Sequence, residues 1–277
     1  LKILLAGATG VVGRRLLPLL VQAGHDVTGT TRRTERSRMI ADLGGEPLVL
    51  DVLDADAVRA AVEAAAPDAV IHQLTDLSDE DFAANSRLRV EGTRNLVDAA
   101  KAAGVEKMIA QSIAWLYEAG DSPAVETDAL DPSLPPYEGI AALESAVAEL
   151  PDAVVLRYGA LYGPDTWYAP DGAIALRAKA GSLRLTPAWT SFVHVDDAAA
   201  AALAALDWPS GPVNIVDDEP ATTAEWLPVF SAGLGAPSPG TARHAAATGR
   251  PVSNAKALGL GWKPKVPSWR AGFAEMG

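Results

Sequence analysis

The 277-residue chain contains no cysteine. A disulfide framework, a thiolate nucleophile and a cysteine-ligated metal are therefore excluded, and the composition suits a reducing compartment, which makes the cytoplasm the expected location. Histidine is nearly as scarce. His25, His72, His194 and His244 include no pair at the spacing of a zinc-binding helix, so no metal centre is expected. Positive charge is in deficit, 23 Lys+Arg against 35 Asp+Glu, for a formal net charge of -12. Such a field repels phosphate backbones and anionic bilayers, so neither nucleic acid nor membrane is expected as a partner. No apolar run has transmembrane length, and the first residues read as a strand rather than a leader. Aromatic residues are missing from the first part: Phe82 is the only one before residue 110, whereas the Trp and Tyr residues all lie at Trp115 or beyond. An aliphatic, alanine-rich beginning suits strands buried on both faces of a parallel sheet. Large side chains later in the chain suit an apolar substrate pocket, or a smaller and looser core.

Against these absences stands a glycine-rich turn. Gly7-Ala8-Thr9-Gly10-Val11-Val12-Gly13 follows directly on the apolar run 1–6. A buried strand, a turn and a helix start in this order aim free backbone N–H groups and a positive helix end at an anion, usually a dinucleotide pyrophosphate. Gly7 is expected to form the tight turn, Gly10 to let the phosphate approach, and Gly13 to let helix pack on strand, with Thr9, Val11 and Val12 in the same cradle. The G-x-x-G-x-x-G spacing is one residue longer at its start than the G-x-G-x-x-G of most dinucleotide folds. The plain alternative is an ordinary strand-to-helix turn.

Strands and helices then alternate. Strands are predicted at 2–6, 25–30, 48–50, 69–74, 107–111 and 154–157, with helices at 11–23, 54–65, about 81–103 and 138–150. Pro18 falls inside the first helix, and Pro123, Pro132, Pro135 and Pro136 mark an irregular loop before the last. The pattern predicts an α/β fold, a doubly wound parallel sheet of Rossmann type with right-handed crossovers. After Gly159 it becomes mixed: helices near 174–180, 196–206 and 223–234, strands near 191–195 and 213–216. The expected division is a dinucleotide-binding domain over 1–160 and a smaller C-terminal substrate lobe over 161–277, with about 191–217 returning to the Rossmann core.

Where a carboxylate for the ribose hydroxyls of NAD is expected, about twenty residues past the glycines, the chain reads Thr30-Thr31-Arg32-Arg33-Thr34-Glu35-Arg36-Ser37-Arg38. Arginine forks suit the 2′-phosphate of NADP, so Arg32 and Arg33 favour NADP over NAD; a solvated basic loop is the alternative. Asp51, followed by Val52, is placed to accept from an adenine amino group or to cap the next helix, a role open equally to Asp54. Gln73, Leu74 and Thr75 close the fourth strand and are expected along the cofactor. His72, flanked by Ile71, is expected to be structural.

These motifs together resemble the extended or atypical short-chain dehydrogenases/reductases, the NAD(P)-dependent epimerase/dehydratase family. The resemblance rests on Gly7-x-x-Gly10-x-x-Gly13, Asp51-Val52, Val90-Glu91-Gly92-Thr93-Arg94-Asn95-Leu96, Gln111-Ser112 with Tyr117, Arg157-Tyr158-Gly159-Ala160-Leu161-Tyr162-Gly163-Pro164, and Phe192-Val193-His194-Val195-Asp196-Asp197. It implies further cofactor contacts from Ser112, Tyr158, Gly159 and Ala160, and a homodimer built on two long helices. It also implies a hydroxyl residue with Tyr-x-x-x-Lys, the tyrosine moving a proton while the lysine lowers its pKa and holds the nicotinamide ribose. Here the chain departs. Tyr137 opens a helix, but the fourth residue on is Ala141; the hydroxyl position falls at Ile113, next to Ser112; and the asparagine expected before Val90 is Arg89. Tyr137 is the expected acid, with Ser112 or Tyr117 orienting the substrate. Glu138 and Glu144 are alternative carboxylates, and Trp115, Trp167, Tyr168 and Trp189 the expected substrate wall. The function expected is an NADP-dependent oxidoreductase passing hydride to or from a carbonyl or carbinol carbon of a small, partly apolar substrate. A non-redox epimerase, dehydratase or cyclase, or a non-catalytic NADP sensor, stands as the alternative.

Overall fold

The computed structural model describes residues 1–76, 82–120, 122–243, 245 and 248–274. Asp81, where the long helix was expected to start, and His244 lie outside the described residues. The chain forms two compact units: residues 1–112, 132–156 and 199–212 make the first, and 113–131, 157–198 and 213–277 the second.

The elements follow the hydrophobic pattern. β1 (Lys2–Ala6) is buried on both faces from Ile3 on, and α1 (Gly13–Gln22) buries Leu16, Leu17 and Leu20 along one stripe, running on through Pro18. β2 (Asp26–Thr31) is followed by a 3₁₀ turn, Thr34–Arg36, and by α2 (Ser37–Asp42). This short helix escapes a periodicity argument because it buries only Ile40. β3 lies at Glu46–Val49, two residues earlier than the apolar triplet suggests. α3 (Ala55–Ala65) is capped by Asp54, whose carboxylate accepts the Ala57 N–H at 3.0 Å. β4 is Ala69–His72.

The single helix expected to reach residue 103 is instead α4 (Phe82–Arg87), a π turn at Leu88–Gly92, and α5 (Thr93–Ala102). The extra residue per turn brings Leu88, Arg89 and Gly92 to the buried side together. β5 (Lys107–Ile113), α6 (Tyr137–Val147) and β6 (Asp152–Tyr158) complete the βα alternation. The first unit's core joins Leu4 and Ala6 of β1, Val58 and Val62 of α3, Leu96 and Ala100 of α5, and Leu143 and Val147 of α6.

Later come β7 (Ala160–Tyr162), α7 (Ala173–Lys179), β8 (Arg184–Leu185), β9 (Trp189–Thr190), β10 (Phe192–His194) and α8 (Val195–Ala204). The last elements are β11 (Gly211–Ile215), β12 (Ala221–Thr222), α9 (Thr223–Gly233), β13 (Gly240–Thr241), α10 (Ala255–Gly259) and α11 (Trp269–Ala274). The main sheet is parallel and seven-stranded, ordered β11-β6-β5-β4-β1-β2-β3. Its strand order reverses at β1, whose Ala6 pairs with His72 of β4 while Leu5 pairs with Gly29 of β2. In open α/β sheets the crevice beyond the carboxyl ends at this reversal takes the ligand.

The second unit is built on aromatic packing. Phe192 meets Tyr162, Tyr168, Trp226 and Phe273 edge to face at 5.3–6.0 Å. Its tail is tied down by buried carboxylates: Asp197 accepts the N–H groups of Lys265 and Val266 at 2.8 and 3.0 Å, and Asp217 accepts that of Trp269 at 2.8 Å. Among the described residues no helix is long and apolar enough to cross a membrane.

Candidate active site

The glycine turn occupies the carboxyl end of β1. Gly7 has φ of 89°, a left-handed conformation, and the Gly10 N–H closes the turn on its carbonyl at 3.0 Å. The N–H groups of Val11, Val12 and Gly13 have no acceptor among the described residues, as at any uncapped helix start. The site is narrow: a Cβ on Gly13 would lie 2.1 Å from Gly7 O, and one on Gly7 2.8 Å from Gln73 O. A Cβ on Gly10 would lie 3.2 Å from Gly7 O, a tight contact but one that a small shift relieves, so packing constrains Gly10 less than Gly7 and Gly13. Gln73 is 4 % exposed, and its amide oxygen and nitrogen both lack a hydrogen-bond partner among the described residues. A cradle of glycine backbone, open N–H donors and an unsatisfied buried amide fits a dinucleotide phosphate and ribose.

Beyond β2, Arg32 pairs with Asp76 at 3.1 Å, while the exposed Arg33 guanidinium has no partner among the described residues. One Asp51 oxygen accepts the Leu53 N–H at 3.0 Å, so the helix cap falls to Asp54 and Asp51 stays exposed at the end of β3. Val52 is buried, its carbonyl accepting from Asn95 at 2.9 Å, whereas Thr75 is exposed. His72 is structural. The Leu74 N–H donates to Nδ1 at 3.2 Å, which puts the proton on Nε2, and Nε2–H donates to Thr93 Oγ1 at 2.9 Å. Burial, with the nearby Arg89 charge adding to it, pulls its pKa down to about 4.

Along α6, Tyr137, Ala141 and Glu144 fall at i, i+4 and i+7 on one face. Ser112, fully buried at the end of β5, donates its hydroxyl to Glu144 Oε1 at 2.7 Å. Glu144 is thus half-buried and bonded rather than facing solvent, which a helix-surface carboxylate would do. Helix spacing alone hid this pair, because it depends on a contact 32 residues apart. Arg89, in the π turn packed against α6, is 8 % exposed, and burial lowers its pKa to about 10. The sequence signal for it is an arginine where the resemblance implies asparagine.

The remaining expected residues lie in the second unit. Tyr117 is buried, its hydroxyl accepting from Arg157 Nη1 at 2.8 Å and donating to Asn214 Oδ1 at 2.6 Å. Burial raises its pKa, so this phenol holds structure with both of its bonds. Tyr158 donates to the Ala198 carbonyl at 3.3 Å, and the N–H groups of Gly159 and Ala160 are committed to Ile215 O and Ser191 O at 3.0 and 2.8 Å. Tyr168, expected in a substrate wall, is a member of the aromatic cluster, stacked on Phe273 at 6.0 Å and edge-on to Trp226 and Phe230 at 5.7 Å. Trp189 sits in β9, its backbone N–H donating to Thr248 O at 2.9 Å; Trp167 is half-buried, and Trp115 is 47 % exposed.

Residues 3–216 match the NAD dependent epimerase/dehydratase family. The chain belongs to this family. A Streptomyces protein named 3-diazoavenalumate denitrifying reductase is 43 % identical over 307 aligned positions, covering 99 % of this chain and all of the relative. Among solved structures, the Thermus thermophilus UDP-glucose 4-epimerase complex with NAD is 26 % identical, with a TM-score of 0.79 and coverage of 99 % of this chain and 97 % of that one. The Bacillus cereus UDP-glucuronic acid 4-epimerase, in complex with UDP-glucuronic acid and NAD, shares the fold at 22 % identity and a TM-score of 0.78, covering 99 % and 96 %. This epimerase/dehydratase-family chain is therefore an enzyme of the NAD(P)-dependent oxidoreductase or epimerase/dehydratase type, served by a nicotinamide dinucleotide.

Proposed function

We propose that the chain is an NADP-dependent reductase whose substrate is a small, partly apolar compound that accepts hydride without a protein acid, with a diazonium carbon as the leading case. The observation that carries this reading is Ala141. A phenol that must protonate an alkoxide in the family's manner needs a cation one helical turn away, and a methyl group supplies none. Reductive loss of nitrogen makes no such demand: the C–N bond breaks with its pair leaving on N₂, a C–H bond forms with the pair of the hydride, and no proton is taken up. The 43 % identical relative, by its name a reductase of a diazo compound, supports the same choice. When bound, a nicotinamide dinucleotide would supply the hydride.

The chain's own residues bind and orient. Backbone N–H groups at Thr9, Val11, Val12 and Gly13 hold the pyrophosphate, with Gly7 and Gly10 keeping the space open. Arg32 and Arg33 take the 2′-phosphate, Asp51 beside Val52 takes the adenine amino group, and Gln73, Leu74, Thr75 and Ser112 lie along the dinucleotide. Tyr137 positions substrate. The absence of cysteine also suits electrophilic diazonium chemistry, since thiols would be the first groups consumed.

Two measurements check this. Absorbance at 340 nm tracks NADPH oxidation with 4-carboxybenzenediazonium and with a panel of aldehydes and ketones. Turnover of the diazonium, retained within about threefold in Tyr137→Phe, is expected; a strict carbonyl preference with a loss above about a hundredfold in Tyr137→Phe, the size of a lost general acid, refutes it. For the cofactor, Arg32→Ala is expected to weaken NADP⁺ at least about tenfold in fluorescence titration while changing NAD⁺ by less than about twofold, the loss of one charge-assisted contact. Equal losses for both dinucleotides refute the NADP assignment.

A further inference from the structure

We propose that Arg89 is the anchor of an oxyanion subsite in the first unit, taking the carboxylate of the substrate. The reductase reading says whose carboxylate it is; the existence of the subsite rests on the arginine itself.

The more exposed arginines on either side of it along the chain are paired: Arg87 with Glu91, and Arg94 with Asp98 and Glu149. Arg89 reverses the pattern. It is only 8 % exposed, and its guanidinium has neither an ion-pair partner nor a hydrogen-bond acceptor among the described residues. The stem is buried while the guanidinium nitrogens keep contact with solvent, so the charge stands at the mouth of a largely apolar setting with no counterion among the described residues, open to an incoming anion. Surface chemistry does not explain it, and neither does core packing, for which methionine or leucine would serve.

Its placement points to the site. The π turn that turns Arg89 inward is an irregular element frequently found at functional sites within helices. Across from it, α6 is stripped of bulk. A Cβ on Gly139 would lie 3.6 Å from the Arg89 Cβ and 3.0 Å from Ser86 Oγ, and two residues further on stands Ala141 in place of the family's lysine. The positive charge of this region has thus moved from α6 to the π turn. Its field reaches His72 at the end of β4, where it reinforces the neutral imidazole.

The chemistry selects a carboxylate. Two parallel N–H groups of one guanidinium match two carboxylate oxygens and one negative charge. A phosphate would bring a second charge, and His72, neutral and with both ring nitrogens bonded, cannot meet it. The ribose hydroxyls that the family's lysine would hold carry no charge to neutralise the cation.

The test uses the full chain in complex with NADP⁺, with benzoate and its neutral isostere benzamide as probes in calorimetric titration. Wild type is expected to bind benzoate at least tenfold tighter than benzamide. Arg89→Gln removes that preference while leaving benzamide and NADP⁺ affinities within twofold, and Arg89→Lys restores part of it. Arg89→Gln is also expected to melt no lower than wild type, because the charge it removes has no partner among the described residues to lose. Equal binding of the two probes by wild type, or an unchanged benzoate preference in Arg89→Gln, overturns the proposal. So does a variant that loses NADP⁺ affinity and keeps benzoate, since the anion would then belong to the cofactor. If Arg89→Gln does not fold, phenylglyoxal modification of wild-type Arg89, mapped by mass spectrometry, decides: formate slows it if the subsite exists, and an unaltered rate overturns it. NADPH oxidation enters none of these readings, so failure of the reductase assignment and failure of the subsite are separately visible.

Discussion

Gly13→Ala is expected to abolish dinucleotide binding and to destabilise the protein by about 2–3 kcal/mol, the scale of overpacking a closed site. The new methyl would stand 2.1 Å from Gly7 O and 2.9 Å from Ala8 Cα, both backbone, so no side chain can swing away to admit it. Relief requires α1 to draw back from the turn. That movement breaks the Gly10 N–H to Gly7 O bond and re-aims the open N–H groups at the helix start, the donors that the proposed function gives to the phosphate. Gly10→Ala provides the contrast. Its methyl would meet Gly7 O at 3.2 Å, a contact that a shift of a few tenths of an ångström relieves, so folding stays within about 1 kcal/mol while phosphate approach suffers. Gly259→Ala, with open space around the added carbon, is expected to change neither property. Urea unfolding and dinucleotide fluorescence titration on the three variants check the order. A Gly13→Ala protein that binds as wild type would show that α1 has room to retreat and that the turn is no rigid cradle.

The glycine turn and the strands around it are legible in sequence because their determinants are local. A glycine at a left-handed turn, an N–H row at a helix start and a strand just before them all fall within thirteen residues, and β1, β2, β4 and β5 announce themselves as apolar runs. Legibility fails where a role depends on a distant contact. Ser112 reads as a free hydroxyl until Glu144 is found 32 residues away accepting from it. Tyr117 reads as an orienting hydroxyl until Arg157 and Asn214 occupy it from both sides. Tyr168 reads as a pocket wall until Phe192, Trp226, Phe230 and Phe273 surround it.

The π turn is the instructive failure of periodicity. Residues 82–102 carry a helical pattern throughout, yet one inserted residue per turn at Leu88–Gly92 rotates α5 relative to α4 and puts an arginine on the inner side. No count of apolar spacings distinguishes that from an unbroken helix with a polar blemish. The missing lysine at Ala141 and the arginine at 89 are two sequence oddities on different elements, and only the packing of the π turn on α6 brings those elements together.

Lowering the pH from 7.5 to 4 is expected to cost wild type about 3 kcal/mol through His72 alone, by linkage of a shift of this size. The folded-state pKa of about 4 lies below the model-peptide value of 6.5. Between the two, the unfolded chain binds a proton that the folded protein refuses, so stability is complete above pH 6.5 and drains away as pH falls toward 4. Below that both states are protonated and the loss stops growing. The physical cause is burial first and the Arg89 charge second; in addition, Nδ1 already accepts the Leu74 N–H, so a proton placed there would face a donor. Carboxylates also drive acid unfolding, which makes the difference between variants the informative quantity. His72→Gln is expected to be less stable at pH 7.5, having lost a fitted buried ring, but to show a shallower fall between pH 6.5 and 4. Arg89→Met keeps the imidazole and removes the charge beside it, so its fall should be shallower than that of wild type and steeper than that of His72→Gln. Urea midpoints at half-unit pH intervals give all three slopes. Parallel curves would place the acid sensitivity of the fold elsewhere, and an Arg89→Met curve identical to wild type would show that burial alone holds His72 neutral.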